Sequence, residues 1–315
     1  MSSDQRQKIG IVGAGSVGAT IAYACMVRGV GKHISLFDIA KNKLDAEVLD
    51  LNHGLMFVPE ARVDGSDDVS VLEGSDVVVI TAGAKQKPGQ TRMDLAETNV
   101  AICRKLIPEL LRVAPNAILL MVTNPVDVLT YATLKLSGLD HSRVLGSGTV
   151  LDSSRFRFLL AQQCQVAVQN VHAYIAGEHG DSEIPLWSSA SIGNIPLRDW
   201  DRPRCLTDRE RTAIFESVRT SADRVIAGKG ATNYAVGLAV SSILQGILWD
   251  EGRVLPVSSL LNDYRGLSDV CLSMPSIVNR RGVDSILQVP LSKQEENGLR
   301  ASADAIRKVA RSLGI

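Results

Sequence analysis

An α/β fold, with a doubly wound parallel sheet in the N-terminal half and an α+β arrangement after it, is what this 315-residue sequence predicts. Three observations lead there. Short apolar runs alternate with segments of helical spacing through roughly the first 150 residues. Residues 76–81 and 117–123 are apolar without alternation, as strands covered by helices on both faces must be. Beyond Gly148 the alternation gives way to longer helical segments with brief strand-like runs between them.

In chain order, Lys8–Val12 reads as a strand, Gly13 as the start of a tight turn and Ser16–Arg28 as a helix of small and apolar residues. His33–Phe37 and residues 41–52 repeat strand and helix, and 76–81 and 117–123 add strands. In the second half, helices are expected over 151–164, 207–226, 232–248 and 292–313, with strand-like runs near 168–175 and 253–260. The change of pattern places a boundary near 149, dividing a domain 1–149 from a domain 150–315. No internal repeat or low-complexity linker stands out.

Composition narrows the function classes. Lys plus Arg equals Asp plus Glu at 34 each, so no net field draws the chain to nucleic acid or to an anionic membrane. With 45% hydrophobic residues but no uncharged run long enough to span a bilayer, and no signal-type segment near Met1, a cytoplasmic protein acting on a small molecule is expected. The five cysteines, Cys25, Cys103, Cys164, Cys205 and Cys271, are scattered, with no C-x-x-C pair. They read as small buried hydrophobes, and no metal is expected.

Gly13-Ala14-Gly15-Ser16-Val17-Gly18 fits G-x-G-x-x-G between a strand and a helix, the context that makes this otherwise weak motif a dinucleotide cradle of the Rossmann type. Gly13 allows the turn, Gly15 lets the backbone approach a pyrophosphate, and Gly18 permits close packing of helix on strand. Twenty residues after Gly18, Asp38 ends the next strand. Its carboxylate can accept from both ribose hydroxyls and repels a 2′-phosphate, which favours NAD. Lys43, five residues further on, is a candidate cofactor neighbour or an ordinary solvated lysine.

Residues 81–92 leave a strand as a polar loop with Gly and Pro, suited to close as a lid carrying Gln86 and Arg92 onto a ligand. Further on come Thr123-Asn124-Pro125-Val126-Asp127, Val150-Leu151-Asp152-Ser153-Ser154-Arg155 and Gly177-Glu178-His179-Gly180-Asp181-Ser182. In this order, from the glycine turn to Gly230-Ala231-Thr232 and the last helix, the chain resembles the lactate/malate dehydrogenase family.

The resemblance implies that His179 is the proton donor and acceptor, Asp152 its orienting partner, Arg155 the carboxylate clamp and Arg92 the lid group polarising the carbonyl. These types suit the chemistry. Hydride arriving at a carbonyl carbon leaves an alkoxide that an imidazolium can protonate, and a guanidinium matches a carboxylate with two parallel hydrogen bonds. Asn124 and Thr232 are implied substrate contacts, and Val17, Gly83, Ala84, Val122, Asn124 and Ser147 are implied to lie beside the cofactor. Gln86 occupies the lid position where malate-type members carry arginine. A neutral amide gives a second carboxylate no countercharge, so pyruvate/lactate is favoured over oxaloacetate/malate.

Arg157 and His172 resemble the fructose 1,6-bisphosphate site of bacterial members, which implies an activator bound across a two-fold axis of a homotetramer. Competing readings are a lactate-like malate dehydrogenase, an NAD- and metal-requiring glycosidase, which should show a cysteine and histidine ligand cluster, and an idle NAD-binding protein, which should lack one of the four catalytic positions.

Overall fold

The structure, a computed structural model, describes residues 7–84 and 92–315, apart from the side chain of Arg92. Gln86, the lid loop around it and the Arg92 side chain lie outside the described residues. The chain runs through β1 (Lys8–Val12), α1 (Ser16–Arg28), β2 (His33–Phe37), α2 (Lys41–His53), β3 (Arg62–Ser66) and β4 (Val77–Ile80). It continues with α3 (Arg92–Val113), β5 (Ile118–Met121), α4 (Val126–Ser137), β6 (Val144–Gly146) and α5 (Val150–Cys164). Short strands follow: β7 (Val171–His172), β8 (Ile175–Ala176), β9 (Ile184–Pro185), β10 (Ser191–Ile192) and β11 (Ile195–Pro196). The last elements are α6 (Asp208–Arg219), α7 (Ser221–Lys229), α8 (Tyr234–Leu248), β12 (Arg253–Leu261), β13 (Val270–Asn279), β14 (Gly282–Ile286) and α9 (Lys293–Ser312).

Among the described residues, nine strands form one sheet in the order β14-β13-β12-β6-β5-β4-β1-β2-β3. The strands from β3 to β6 pair in parallel, in the doubly wound order 3-2-1-4-5-6. Their central members are buried on both faces, every residue of β4 and β5 included. Ile9, Ile11, Val77 and Val79 pack on one side with Ile21, Ala22 and Cys25 of α1. Val12, Val78 and Ile80 pack on the other with residues of α3 and α4 such as Ile107, Leu110 and Leu129. That two-sided burial is why these strands read as continuous apolar runs.

The second half is joined to the first rather than hung from it. β12, β13 and β14 extend the sheet with antiparallel pairings beyond β6. α8 places Val240, Ile243, Leu244 and Ile247 in the core beneath α1. The crossing is close: a Cβ on Gly237 would stand 2.7 Å from the Thr20 methyl. Among the described residues three further clusters fill the rest, one around Phe156, one around Leu299, Ala303 and Ile306 of α9, and a small one of Tyr131, Cys271 and Ala310.

Some expectations needed revision. The helix foreseen over 207–226 is two helices that meet at Thr220, whose hydroxyl donates to the Glu216 carbonyl at 2.8 Å, a back-bond of the kind that bends helices. β13 and β14 were not foreseen; β13 is buried almost throughout and so lacks a period of two. Cys25, Cys103, Cys164 and Cys271 are buried as expected, but Cys205 is exposed, in the polar stretch ahead of α6.

Candidate active site

A cleft of about 770 Å³ opens at the carboxyl ends of β1, β2, β4 and β5, where an open α/β sheet binds ligands. Its walls include Gly13, Gly15, Val17, Gly18, Asp38, Gly83, Ala84, Val122, Asn124, Arg155, His179 and Thr232. The glycine turn has the geometry a dinucleotide needs. Gly13 has φ +99°, in the left-handed region that a side chain rarely adopts. A Cβ on Gly18 would sit 1.9 Å from the Gly13 carbonyl oxygen, so α1 can approach β1 this closely only with glycine there. A Cβ on Gly15 would meet no atom within 4 Å, which leaves open room for phosphate beside the backbone. Gly15 is also the N-cap of α1 and supplies no side-chain cap, so the helix N-terminus is left for an anion. Asp38 is held at the rim, its Oδ2 accepting from the Ala14 N–H at 2.7 Å and its Oδ1 from the Ala40 N–H at 2.9 Å. These residues fit NAD: a pyrophosphate at the turn and a ribose at the carboxylate.

The other end of the cleft carries the polar cluster. α5 brings Asp152 and Arg155 onto one face at i, i+3 spacing, and its start is stitched to β8. Thr149 Oγ1 donates to the Ile175 carbonyl at 2.6 Å, and Ser153 Oγ accepts from the Ile175 N–H at 2.8 Å. His179 follows β8 in a turn tied down at three points. Gly177 exchanges two backbone hydrogen bonds with Ser273 of β13, both 2.9 Å. The Glu178 N–H donates to Ser302 Oγ of α9 at 2.6 Å, and the His179 N–H donates to Asp127 Oδ2 of α4 at 2.7 Å. The imidazole is thereby delivered to Asp152, with Nδ1 2.6 Å from Oδ2, while Arg155 Nη1 donates to Oδ1 of the same carboxylate at 2.7 Å.

The electrostatics follow from this packing. The Asp152 charge, outweighing burial, raises the His179 pKa to about 9, so the ring is an imidazolium at neutral pH. Burial alone would raise Asp152, but His179 and Arg155 hold its carboxyl below the usual range. Burial pushes Asp127 up to about 6, although Ser258 Oγ and the His179 N–H both donate to it.

The sequence-chosen residues divide accordingly. Gly13, Gly15, Val17, Gly18, Asp38, Gly83, Ala84, Val122, Asn124, Arg155, His179 and Thr232 share the cleft, with Asp152 directly behind His179. Lys43 and Ser147 are not among its walls. Lys43 is exposed on the first turn of α2, and Ser147 follows β6 with its N–H bonded to the Met121 carbonyl. Arg157 and His172 stand apart from the cleft: Arg157 Nε donates to the Ala173 carbonyl at 2.9 Å with its guanidinium 4.7 Å from the Tyr174 ring centre, and His172 is exposed on β7.

Sequence reasoning passed over Asp127, Glu183 and Asn99. Asn99, buried on α3, accepts from the Ala84 N–H and donates to the Asn124 carbonyl, both at 2.8 Å, joining two loops of the cleft. A polar residue amid an apolar helix face was the available signal.

Comparison with known proteins covers the whole chain. Residues 7–146 match the lactate/malate dehydrogenase NAD binding domain. Residues 149–312 match the alpha/beta C-terminal domain of the same enzymes. The chain is 52% identical over 312 residues to an L-lactate dehydrogenase of Bifidobacterium animalis subsp. lactis, covering 98% of this chain and 97% of that one. It is 47% identical over 311 residues to an L-lactate dehydrogenase of Acetivibrio thermocellus, covering 98% of each. Among solved structures, a lactate dehydrogenase from a Medee basin deep-sea metagenome superposes with a TM-score of 0.95 at 38% identity, over 98% of this chain and 99% of that one. The ligand-bound minor L-lactate dehydrogenase of Enterococcus mundtii gives 0.94 at 37% identity, over 98% of each chain. One family accounts for both halves, and the chain belongs to it: the NAD-dependent lactate/malate dehydrogenases.

Proposed function

We propose that the chain interconverts pyruvate and L-lactate. The observation that carries this reading is the His179–Asp152 pair, 2.6 Å apart, with Arg155 on the same carboxylate and all three at the end of a dinucleotide cleft. When bound along Gly13, Gly15, Val17, Gly18, Asp38, Gly83, Ala84, Val122 and Asn124, NADH would supply a hydride to the carbonyl carbon of the substrate. The protein's part is to hold the substrate and move a proton. With Nδ1 engaged by Asp152, Nε2 of His179 is the nitrogen that gives its proton to the carbonyl oxygen as charge develops there. In the reverse direction the neutral ring accepts that proton.

Arg155 clamps the substrate carboxylate. Asp152 orients one edge of the guanidinium, and the planar fork presents its remaining N–H groups to a two-oxygen anion. Asn124 and Thr232 on the cleft wall complete the substrate contacts. Arg92 as the carbonyl-polarising group and Gln86 as the position selecting a methyl over a second carboxylate rest on the sequence resemblance. The functional division is placed near residue 149, between the cofactor-holding and substrate-holding parts.

Regulation by fructose 1,6-bisphosphate in a homotetramer belongs to the same reading. Its support is that Arg157 Nε donates to the carbonyl of Ala173, next in the chain to the exposed His172, which brings two phosphate-binding residue types near each other outside the cleft. Apolar side chains left exposed on α1 and α8, Tyr23, Val27 and Leu238, need covering by another copy.

The test is product formation. Pyruvate and NADH should yield L-lactate, and His179→Gln should lower the rate by roughly 10²- to 10⁴-fold while NADH still binds, as followed by its fluorescence. Undiminished turnover in that variant would remove His179 from the mechanism.

A further inference from the structure

Glu183 sits behind the catalytic pair with no part in the scheme above. It lies four residues past His179, is only 6% exposed, and lines no part of the cleft. One ligand-type atom each of Asp152, His179 and Glu183 falls within 4.8 Å of the others. Its Oε1 is buried and has no hydrogen-bond partner among the described residues. A carboxylate so placed beside Asp152 would be a second buried negative charge lacking a donor, an arrangement that protonation relieves.

We propose that Glu183 is a positioning residue for His179: a buried carboxyl packed beside Asp152 and the imidazole, with no donor on its Oε1, whose charge state governs how firmly the ring keeps its proton. This rests on the acid–base reading of His179. Among the described residues, the charged and titratable groups acting on Glu183 are Asp152 and Arg155 from α5, His179 from its own turn and Arg219 from the end of α6. Burial, then the Asp152 charge, raise the Glu183 pKa to about 8 against the pull of His179, Arg155 and Arg219. Glu183 in turn raises His179. The three groups therefore release protons as a coupled set, and the ring holds its proton to higher pH than Asp152 alone would allow.

Glu183→Gln is the discriminating change, since glutamine keeps the shape and a hydrogen-bond donor but cannot ionise. The alkaline limb of kcat/KM for pyruvate at saturating NADH should move down by about one pH unit, a tenfold loss at a pH above the limb. Glu183→Asp, which restores an ionisable group, should move the limb back towards that of the unaltered protein. Carbon-13 labelling of glutamate carboxyls in the unaltered protein gives a readout independent of turnover and of how the variants fold. One glutamate should titrate near pH 8. A limb unmoved in Glu183→Gln, a limb that Glu183→Asp does not restore, or the absence of a glutamate titrating in that range would each overturn the proposal. Failure to turn over pyruvate with that glutamate present would instead count against the function proposed above.

Discussion

Asp152→Asn removes the charge that sets the acid strength of His179 and leaves the shape of the site nearly unchanged. With Asp152 the ring titrates near 9; without it burial pulls the ring back down, opposed by the charges of Asp127 and Glu183. The rise from the ordinary 6.5 to about 9 is on the order of 3 kcal/mol of preference for imidazolium, with Asp152 its largest cause. Loss of about two pH units of that rise takes the protonated fraction at pH 8 from about nine-tenths to about one-tenth, so pyruvate reduction should slow about tenfold from this cause alone. The Asn amide also offers a donor where Nδ1 needs an acceptor, and Arg155 loses the carboxylate that orients it, so the KM for pyruvate should rise too. Initial rates of NADH oxidation across pH 5 to 10 distinguish the two effects. Loss of protonation gives a deficit that shrinks as the pH falls towards 6, and an alkaline limb displaced downward. Misorientation gives a constant factor. Lactate oxidation, which needs the neutral ring, should have its acid limb displaced downward as well, so that direction gains activity at lower pH where pyruvate reduction loses it at higher pH. An alkaline limb still near 9 in Asp152→Asn would refute the electrostatic account of His179.

Other consequences can be checked on the same protein. Gly18→Ala forces a methyl against the Gly13 carbonyl, so thermal unfolding should show a loss of about 1–3 kcal/mol and NADH affinity should fall at least about tenfold. Asp38→Ala frees the Ala14 N–H and removes the ribose acceptor: NADH binding should weaken about tenfold and NADPH binding much less, and an unchanged ratio between them would count against the role of Asp38. Asp127 is raised to about 6 from an ordinary 3.8, so the folded state binds the extra proton between those values. Its contribution to stability is greatest below that window and falls by about 3 kcal/mol as pH rises through it. Asp127→Asn lacks that fall, so urea unfolding should show the variant gaining on the unaltered protein between about pH 4 and 7.

The parts of the fold legible in the sequence were those governed by local rules. β1, the glycine turn and α1 show as an apolar run, a fixed glycine spacing and a helical period, and the structure gives Gly13 and Gly18 a steric reason while leaving open space at Gly15. β13 escaped because Ser273, Pro275 and Ser276 interrupt its apolar run, although all three are buried, so it shows neither the unbroken run of β4 and β5 nor an alternation. In the site, Asp152 and Arg155 are one helical turn apart and could be paired from spacing. Asp127 and Glu183 could not be given their surroundings: the former meets His179 across 52 residues of chain, and the latter is defined by what surrounds it in space. A carboxyl with a shifted titration looks like any other acidic residue until its neighbours are placed.

The central claim, a pyruvate-reducing dehydrogenase, is tested most directly by NADH consumption with pyruvate and, separately, with oxaloacetate, each with and without fructose 1,6-bisphosphate. The account predicts a higher kcat/KM for pyruvate, because Gln86 offers no countercharge to a second carboxylate, and a lower pyruvate requirement when the bisphosphate meets Arg157 and His172. A preference for oxaloacetate would contradict the substrate assignment, and no consumption with either acid would contradict the function itself.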